Sequence, residues 1–142
     1  MKFTFIKSDE KDEIIIYAKE KNELVNTIES LCTIDNNLIG YYKNSLYELN
    51  INLVECFVTE NDKVFAIVGK TKYLIKRRLY ELFDLYKDLF IYINQGCLAN
   101  VSKIRCFDAS IGGSLLVIFK SGYKDYVSRR RLKEIKERMG LK

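Results

Sequence analysis

Between residues 90 and 131 the chain alternates short apolar runs with polar corners, and this alternation restricts the fold more than any other feature. Short apolar runs bounded by Asn, Gln, Ser and Gly are typical of β-strands, because a helix needs a longer amphipathic segment. The runs lie at residues 90–93, 97–100, 103–108, 114–119 and 123–127. The stretch therefore predicts a set of short strands joined by polar corners, the last of which leads into a helix.

The predicted helix carries start and stop signals at both ends. Ser128 suits the N-cap, because its hydroxyl can accept a hydrogen bond from a free backbone N–H of the first turn. Leu132, Ile135 and Met139 fall on one helical face, and Gly140 suits the left-handed position that follows a helix. These signals predict a helix that begins after Ser128 and ends before Gly140.

The first turn of this helix holds three adjacent arginines, Arg129, Arg130 and Arg131. The unpaired N–H groups of a first turn carry partial positive charge, so acidic residues are favoured there and cations are not. Two interpretations stay open. The arginines form a solvated basic face, or an external phosphate supplies the missing anion at the helix terminus.

Length and composition favour one domain, or one domain with an arm. The chain has 142 residues, of which 48% are hydrophobic, which is enough for a core and argues against disorder. Residues 1–69 carry 7 Lys and Arg against 12 Asp and Glu, whereas residues 70–142 carry 17 against 7. A basic half of this kind is the electrostatic footprint of a protein that binds a polyanion.

Several functional classes find no support in the sequence. The chain has no histidine, which removes His-based triads, His metal ligands and His general bases. It also lacks a GxGxxG or P-loop lysine motif. We therefore expect no enzyme activity, no cofactor, no metal and no small-molecule substrate. No apolar run approaches the roughly 20 residues of a membrane span, and the N-terminus turns acidic too early for a signal peptide.

The four cysteines, Cys32, Cys56, Cys97 and Cys106, lie in apolar contexts without CxxC spacing. This pattern predicts reduced core residues of a cytoplasmic protein. A redox role for Cys97 or Cys106 stays open as an alternative.

Residues 1–35 are predicted to form an appended β/α arm. Candidate strands lie at residues 2–6 and 13–17. The arm carries no chemical motif, so its expected role is packing or association. A helix is predicted from the apolar stripe formed by Leu24, Ile28, Leu31 and Cys32.

From residue 36 the pattern is mainly β. Two hairpins are predicted, one from residues 38–42 and 45–49 and one from residues 53–59 and 64–68, followed by a strand at residues 71–75. A helix is then predicted over residues 76–87, with a basic first turn. Its apolar face is formed by Leu79, Leu82, Phe83 and Tyr86.

In this order the motifs resemble the LytTR family of bacterial DNA-binding domains. The resemblance covers residues 36–142 and rests on a phenylalanine strand, a polar corner, an asparagine, a nearby isoleucine, a glycine turn and a "VSRR" signature. The matching residues are Phe90, Asn100, Ile104, Gly122, Val127, Ser128, Arg129 and Arg130. The resemblance implies a mainly β fold with α (α+β), an elongated packing of small antiparallel sheets with short helices. Its loops are expected to enter successive major grooves of duplex DNA.

The resemblance also implies three places that contact DNA: an early hairpin corner, the polar corner before the asparagine, and the arginine signature. At the hairpin corner Asp62 would repel phosphate, so Lys63 is the expected contact. Asn94 and Gln95 stand where the family often has His, Arg or Lys, and both residue types can pair bidentately with adenine. Arg130 is the expected base contact. The complete expected set is Lys63, Asn94, Gln95, Ser128, Arg129, Arg130, Arg131 and Lys133.

The predicted function is that of a bacterial transcription regulator which binds duplex DNA. One alternative is an RNA-binding domain that uses Tyr92, Tyr123 and Tyr126 as stacking platforms, although core packing explains tyrosines alternating with apolar residues better. The other alternative is a protein–protein regulatory module with a basic docking face.

The length of the arm bears on regulation. About 35 residues precede the DNA-binding part, which is too few for the doubly wound receiver domain that many family members carry. We therefore predict that aspartyl phosphorylation does not switch this protein. Two-fold association through the arm would match paired DNA half-sites, so a homodimer is expected. The resemblance also implies that a membrane protein could hold a stand-alone member inactive.

Overall fold

The computed structural model describes residues 4–7, 9, 14–33, 37–111 and 114–140. The chain divides into two compact units, residues 1–33 and 34–142. This division lies two residues before the boundary expected from the sequence, and a separate role for the first unit stays a prediction. Within the described residues, no helix is long and apolar enough to cross a membrane.

The first unit contains the predicted helix, α1 (Glu23–Thr33). Asn22 caps it, since the Val25 N–H donates to Asn22 Oδ1 at 3.0 Å. The strands predicted at residues 2–6 and 13–17 are wrong for residues 4–6 and 14–17, which have no regular structure. Their remaining positions, and the side chains of Leu31 and Cys32, lie outside the described residues.

The second unit is mainly β, and its described part contains ten strands and two helices. The helices are α2 (Leu79–Tyr86) and α3 (Arg129–Arg138). The strands are β1 (Asn37–Tyr42), β2 (Ser45–Asn50), β3 (Cys56–Glu60), β4 (Lys63–Val68), β5 (Thr71–Ile75), β6 (Phe90–Asn94), β7 (Cys97–Asn100), β8 (Ile104–Ile111), β9 (Ser114–Phe119) and β10 (Lys124–Val127).

These strands form two antiparallel sheets. The larger has seven strands in the order β2-β1-β5-β4-β3-β7-β6, and the smaller has three in the order β10-β9-β8. The predicted fold class, mainly β with α, is confirmed.

Both faces of the larger sheet are covered at its centre, which explains why β3 and β7 are buried at successive positions. On one face, α2 packs its Leu82 and Tyr86 against Phe57 and Phe90. The residues that cover the other face come from the small sheet and α3, and include Val117, Phe119, Val127 and Ile135.

Two predicted element starts are corrected by the structure. Strand β3 begins at Cys56, because Ile51–Leu53 forms a 3₁₀ turn that Asn50 caps by accepting from the Asn52 N–H at 3.0 Å. Helix α2 begins at Leu79, because Arg78 has extended backbone with φ −80° and ψ 154°. The cations at positions 76–78 therefore precede the helix and do not form its first turn.

Helix α3 follows the prediction, with Ser128 as its N-cap residue, except in the role of the Ser128 hydroxyl. It begins directly after Ser128, buries Ile135, and ends before Gly140, which has a φ of 68°. Leu132 and Met139 pack on the same core. The Ser128 side chain, however, makes no capping hydrogen bond, so the predicted role of its hydroxyl is wrong.

The cysteines differ in their surroundings. Cys56 and Cys97 are free and buried, as predicted, whereas Cys106 is free but exposed and is not a core residue. A hydrogen bond with the Cys56 side chain, and then burial, raises the pKa of the Cys97 thiol. Cys97 is therefore a protonated, poorly nucleophilic thiol at neutral pH. The side chain of Cys32 lies outside the described residues.

Candidate nucleic-acid interface

Three polar turns lie side by side at one end of the larger sheet. The Thr59 N–H donates to the Gly96 carbonyl at 2.9 Å, which ties the β3–β4 turn to the β6–β7 turn. The Ser128 N–H donates to the Ile93 carbonyl at 2.9 Å, which ties the start of α3 to the end of β6. We call this end of the larger sheet the turn end, and define it as residues 60–63, 94–97 and 127–131.

The β3–β4 turn presents Lys63 to solvent. Asn61 and Asp62 have φ values of 51° and 64°, and positive φ at both central positions is what a type I′ hairpin turn requires. Glu60 lies opposite Lys63 in the ladder, but its carboxylate pairs with Lys72 Nζ at 2.7 Å. Within the described residues, the exposed Lys63 makes no ion pair.

The β6–β7 turn holds one buried and one exposed amide. Asn94 is 4% exposed. Its Nδ2 donates to Asp125 Oδ1 at 3.0 Å and to the Tyr126 carbonyl at 2.8 Å, while its Oδ1 accepts from the Gly96 N–H at 2.9 Å. Gln95 is exposed. The structure therefore gives Asn94 a position different from the expected one: its amide is engaged within the turn, and Gln95 is the side chain available to a base.

The β10–α3 junction presents two unpaired arginines. Ser128 has extended backbone, with φ −71° and ψ 153°, and its carbonyl accepts from the N–H groups of Arg131 and Leu132 at 3.0 and 3.1 Å. Arg129 and Arg130 are exposed, and neither forms an ion pair with any described residue. Two guanidinium groups thus stand at the open N-terminus of α3, where the backbone also favours an anion.

Arg131 is held differently from its two neighbours. Its Nη1 lies 3.2 Å from Glu134 Oε2, and its guanidinium carbon lies 4.9 Å from the centre of the Tyr92 ring. Glu134 therefore partly neutralises the charge of Arg131, and the guanidinium group stacks on the Tyr92 ring. Lys133, one residue further along than Leu132, is exposed on the helix surface.

The tyrosines that could stack on nucleic-acid bases are mostly packed. Tyr92 lies 5.0 Å from Phe83, and Tyr123 lies 6.0 Å from Phe119, measured between ring centres. Burial raises the pKa of the Tyr92 hydroxyl, and the nearby Arg131 charge opposes that shift. Burial likewise raises the pKa of Tyr123. Core packing is confirmed for Tyr92 and Tyr123, whereas Tyr126 is 55% exposed.

Seven of the eight expected contact residues thus lie at the turn end, and Lys133 lies outside it on α3, but the eight differ in exposure and in hydrogen bonding. The structure exposes Lys63, Gln95, Arg129, Arg130 and Lys133. It buries Asn94 and packs Arg131 against Tyr92. Sequence reasoning missed Asp125, which anchors Asn94 from 31 positions along the chain and has no local signal. The Arg131–Glu134 pair does have one, because residues three apart on a helix are neighbours.

Comparison with known proteins identifies the family. The model of the LytTr DNA-binding domain matches residues 44–140. HTH-type transcriptional regulators of Staphylococcus aureus strains NCTC 8325 and COL are each 31% identical to this chain, and each match covers 96% of both chains. The chain belongs to the LytTr DNA-binding domain family.

A solved structure has the same fold. A LytTr DNA-binding domain from Bacillus cereus superposes with a TM-score of 0.69 at 17% identity, and the match covers 75% of this chain and 99% of that one. The names of the Staphylococcus relatives specify a helix-turn-helix type. In the described part of this chain, strands separate every pair of helices. The described residues therefore contain no two helices in direct succession.

Proposed function

We propose that this protein is a bacterial transcription regulator which binds duplex DNA through the turn end of the larger sheet. The observation that carries the proposal is the row of exposed polar side chains at that edge. Lys63, Gln95, Arg129 and Arg130 come from three turns, and backbone hydrogen bonds hold those turns side by side. A rigid set of unpaired cations and one amide fits a ligand that offers phosphates and base edges together.

The dimensions of the row fit duplex DNA. β4 and β6 are three strand spacings of about 4.8 Å apart, and packed sheets lie about 10 Å apart in the perpendicular direction, so Lys63 and Arg130 are separated by roughly 17 Å. This exceeds the ~12 Å width of a major groove. Lys63 and Arg130 would therefore contact different grooves, or phosphates on either side of one groove.

Each exposed residue receives a role from its chemistry. Arg130 pairs with the O6 and N7 atoms of guanine, and Gln95 pairs with adenine. Ser128 and Arg129 hold a phosphate at the N-terminus of α3, while Lys63 and Lys133 contact phosphates at the two sides. Asn94 is a positioning residue in this scheme, because it joins the Gln95 turn to the strand that leads to the arginines.

Gel shifts with duplex DNA and single-stranded RNA test the proposal. Duplex binding is expected to be the tighter, and log K should fall linearly with log salt, with a slope near −0.9 for each phosphate neutralised. Several contacts would weaken binding roughly a hundredfold or more between 50 and 200 mM salt. Preference for the RNA, or a flat salt dependence, would contradict the proposal.

We further propose that the first unit associates two copies in the cytoplasm, as paired DNA half-sites require. Supporting this, α1 carries Leu24, which is 44% exposed, beside the half-buried Val25 and Ile28. Sedimentation of the full chain with Leu24→Glu and Ile28→Glu tests the idea. A monomer that still binds a single half-site is the expected result, and an unchanged dimer would reject this role for α1.

A further inference from the structure

A second basic segment lies next to the turn end and belongs to none of the three turns. Strand β5 ends at Ile75, which pairs with Val64 at the start of β4. The residues that follow, Lys76, Arg77 and Arg78, therefore leave the sheet at the same end as Lys63. Because β5 is the neighbour of β4 in the strand order, this segment extends the row by one position beyond the β3–β4 turn.

The segment and the β3–β4 turn line one open groove of about 400 Å³. Its charged lining consists of four cations and two acids: Lys63, Lys76, Arg77, Arg78, Asp62 and Glu81. The groove therefore keeps a formal excess of positive charge. Its cations come from two segments that are separate in sequence, which distinguishes it from a run of charges on one solvated face.

The cations of this groove are not neutralised by the protein. Arg77 and Arg78 are exposed, and neither makes an ion pair within the described residues. Lys76 Nζ lies 4.4 Å from the centre of the Tyr41 ring, which positions its charge without cancelling it. By contrast, Lys72 on the preceding strand is paired with Glu60 at 2.7 Å.

We propose that this groove binds the phosphodiester backbone of the duplex on the flank beyond Lys63. The inference rests on the proposed function, because it requires DNA to lie along the turn end. Guanidinium groups bind phosphate oxygens bidentately, and backbone contacts position a duplex without reading its sequence. The groove thus lengthens the protected site on one side and adds affinity without adding specificity.

The test compares three variants of the full chain on one preferred duplex and one unrelated duplex. The first is Arg77→Ala with Arg78→Ala, and the second is Arg77→Lys with Arg78→Lys. The matched control is Lys70→Ala with Lys120→Ala, which removes the same charge from two exposed residues. Those two lysines lie at the β4–β5 and β9–β10 connections, at the opposite end of the strands. Thermal unfolding monitors the fold of each variant.

In the arginine-to-alanine variant the plot of log K against log salt should become less steep by about 0.9 for each lost phosphate contact. Each lost contact therefore weakens affinity roughly eightfold more at 0.1 M salt than at 1 M salt. Both duplexes should weaken by the same factor. Hydroxyl-radical footprinting should lose protection at one outer edge of the site only. The lysine variant should restore most of the slope, and the control should match the unmodified protein.

A slope and footprint equal to those of the control would overturn the inference while leaving the proposed function intact. Loss of sequence preference in the alanine variant would also overturn it, since the groove would then contact bases. If the unmodified protein shows no salt-dependent duplex binding, the proposed function fails and the inference falls with it.

Discussion

The two ends of the larger sheet use similar polar residues in opposite ways. At the turn end, Lys63, Gln95 and Arg130 project into solvent without protein partners among the described residues. At the opposite end, Glu55 and Asn100 are 5% and 1% exposed, respectively. The Glu55 carboxylate accepts from both the N–H and the hydroxyl of Ser121.

The buried side-chain amide of Asn100 forms hydrogen bonds within the protein. Its Nδ2 donates to the Val54 carbonyl at 2.8 Å, and its Oδ1 accepts from the Ser102 N–H and hydroxyl at 3.1 and 2.8 Å. A buried polar group that is fully hydrogen-bonded is costly to remove, whereas an exposed one contributes little to folding. Substitutions of Glu55 and Asn100 should therefore change stability, and substitutions of the exposed residues at the turn end should change binding.

The largest effect is expected for Asn100→Ala. Loss of the Asn100 side-chain amide leaves the Val54 carbonyl and the Ser102 N–H without their partner, so the free energy of unfolding should fall by about 2–4 kcal/mol. Urea unfolding measures this. Asn50 is the matched control: it caps the Ile51–Leu53 turn as Asn100 caps a second 3₁₀ turn, Val101–Lys103, but Asn50 is exposed. Asn50→Ala should cost only about 0.5–1 kcal/mol, and equal losses for the two variants would refute the contrast.

Arg130→Ala should weaken binding to the preferred duplex by about 1–3 kcal/mol and relax the preference at one base position. The free energy of unfolding should change by less than about 0.5 kcal/mol. Lys133→Ala should weaken all sequences about equally, and Arg105→Ala, an exposed residue near the start of β8, should change nothing. If Arg130→Ala lowers specific and nonspecific binding by one factor, Arg130 contacts phosphate only.

Asn94→Ala should affect both properties, because Asn94 is buried yet lies at the turn end. The lost hydrogen bonds should reduce the free energy of unfolding by about 1–2 kcal/mol. DNA binding should weaken because the Gln95 turn is no longer fixed relative to the arginines. In a double-mutant cycle with Arg130→Ala, the two binding losses should not add. Additive losses would show that Asn94 does not position the β10–α3 junction.

Arg131→Ala should have the smallest effect. Exposed ion pairs and cation–π contacts contribute up to about 1 kcal/mol each, so stability should fall by about 1 kcal/mol or less. Binding should change less than for Arg130→Ala, because Glu134 and Tyr92 already engage the guanidinium. Competition gel shifts on one duplex compare the two variants, and an Arg131 loss equal to that of Arg130 would contradict the assignment.

Local patterns predicted most elements of the second unit. The strands Thr71–Ile75 and Ser114–Phe119 were predicted with their observed bounds, because turn residues delimit them. The local pattern predicted the wrong start for β3, because the Asn50 side chain caps a 3₁₀ turn before that strand. It also failed for the strands expected around Phe5 and Ile15, since an apolar run forms a strand only where another strand pairs with it.

The candidate site was predictable in its location but not in the state of each residue. The order of polar corners and the arginine triplet predicted the three turns that the structure brings together at the turn end. The burial of Asn94 depends on Asp125, and the packing of Arg131 depends on Tyr92, and both partners are distant in sequence. Residues 76–78 were predicted to be helical, so their place in a groove beside Lys63 became visible only with the strand order.

The central claim is that DNA binds the turn end of the larger sheet, and amide NMR tests it most directly. The ¹⁵N-labelled full chain is titrated with a duplex selected from a random pool. We expect the amide signals of Lys63, Gly96, Arg129 and Arg130 to shift, and those of Gly69, Lys70 and Gly122 at the opposite end to stay in place. Shifts confined to the opposite end, with unchanged signals at the turn end, would contradict the account.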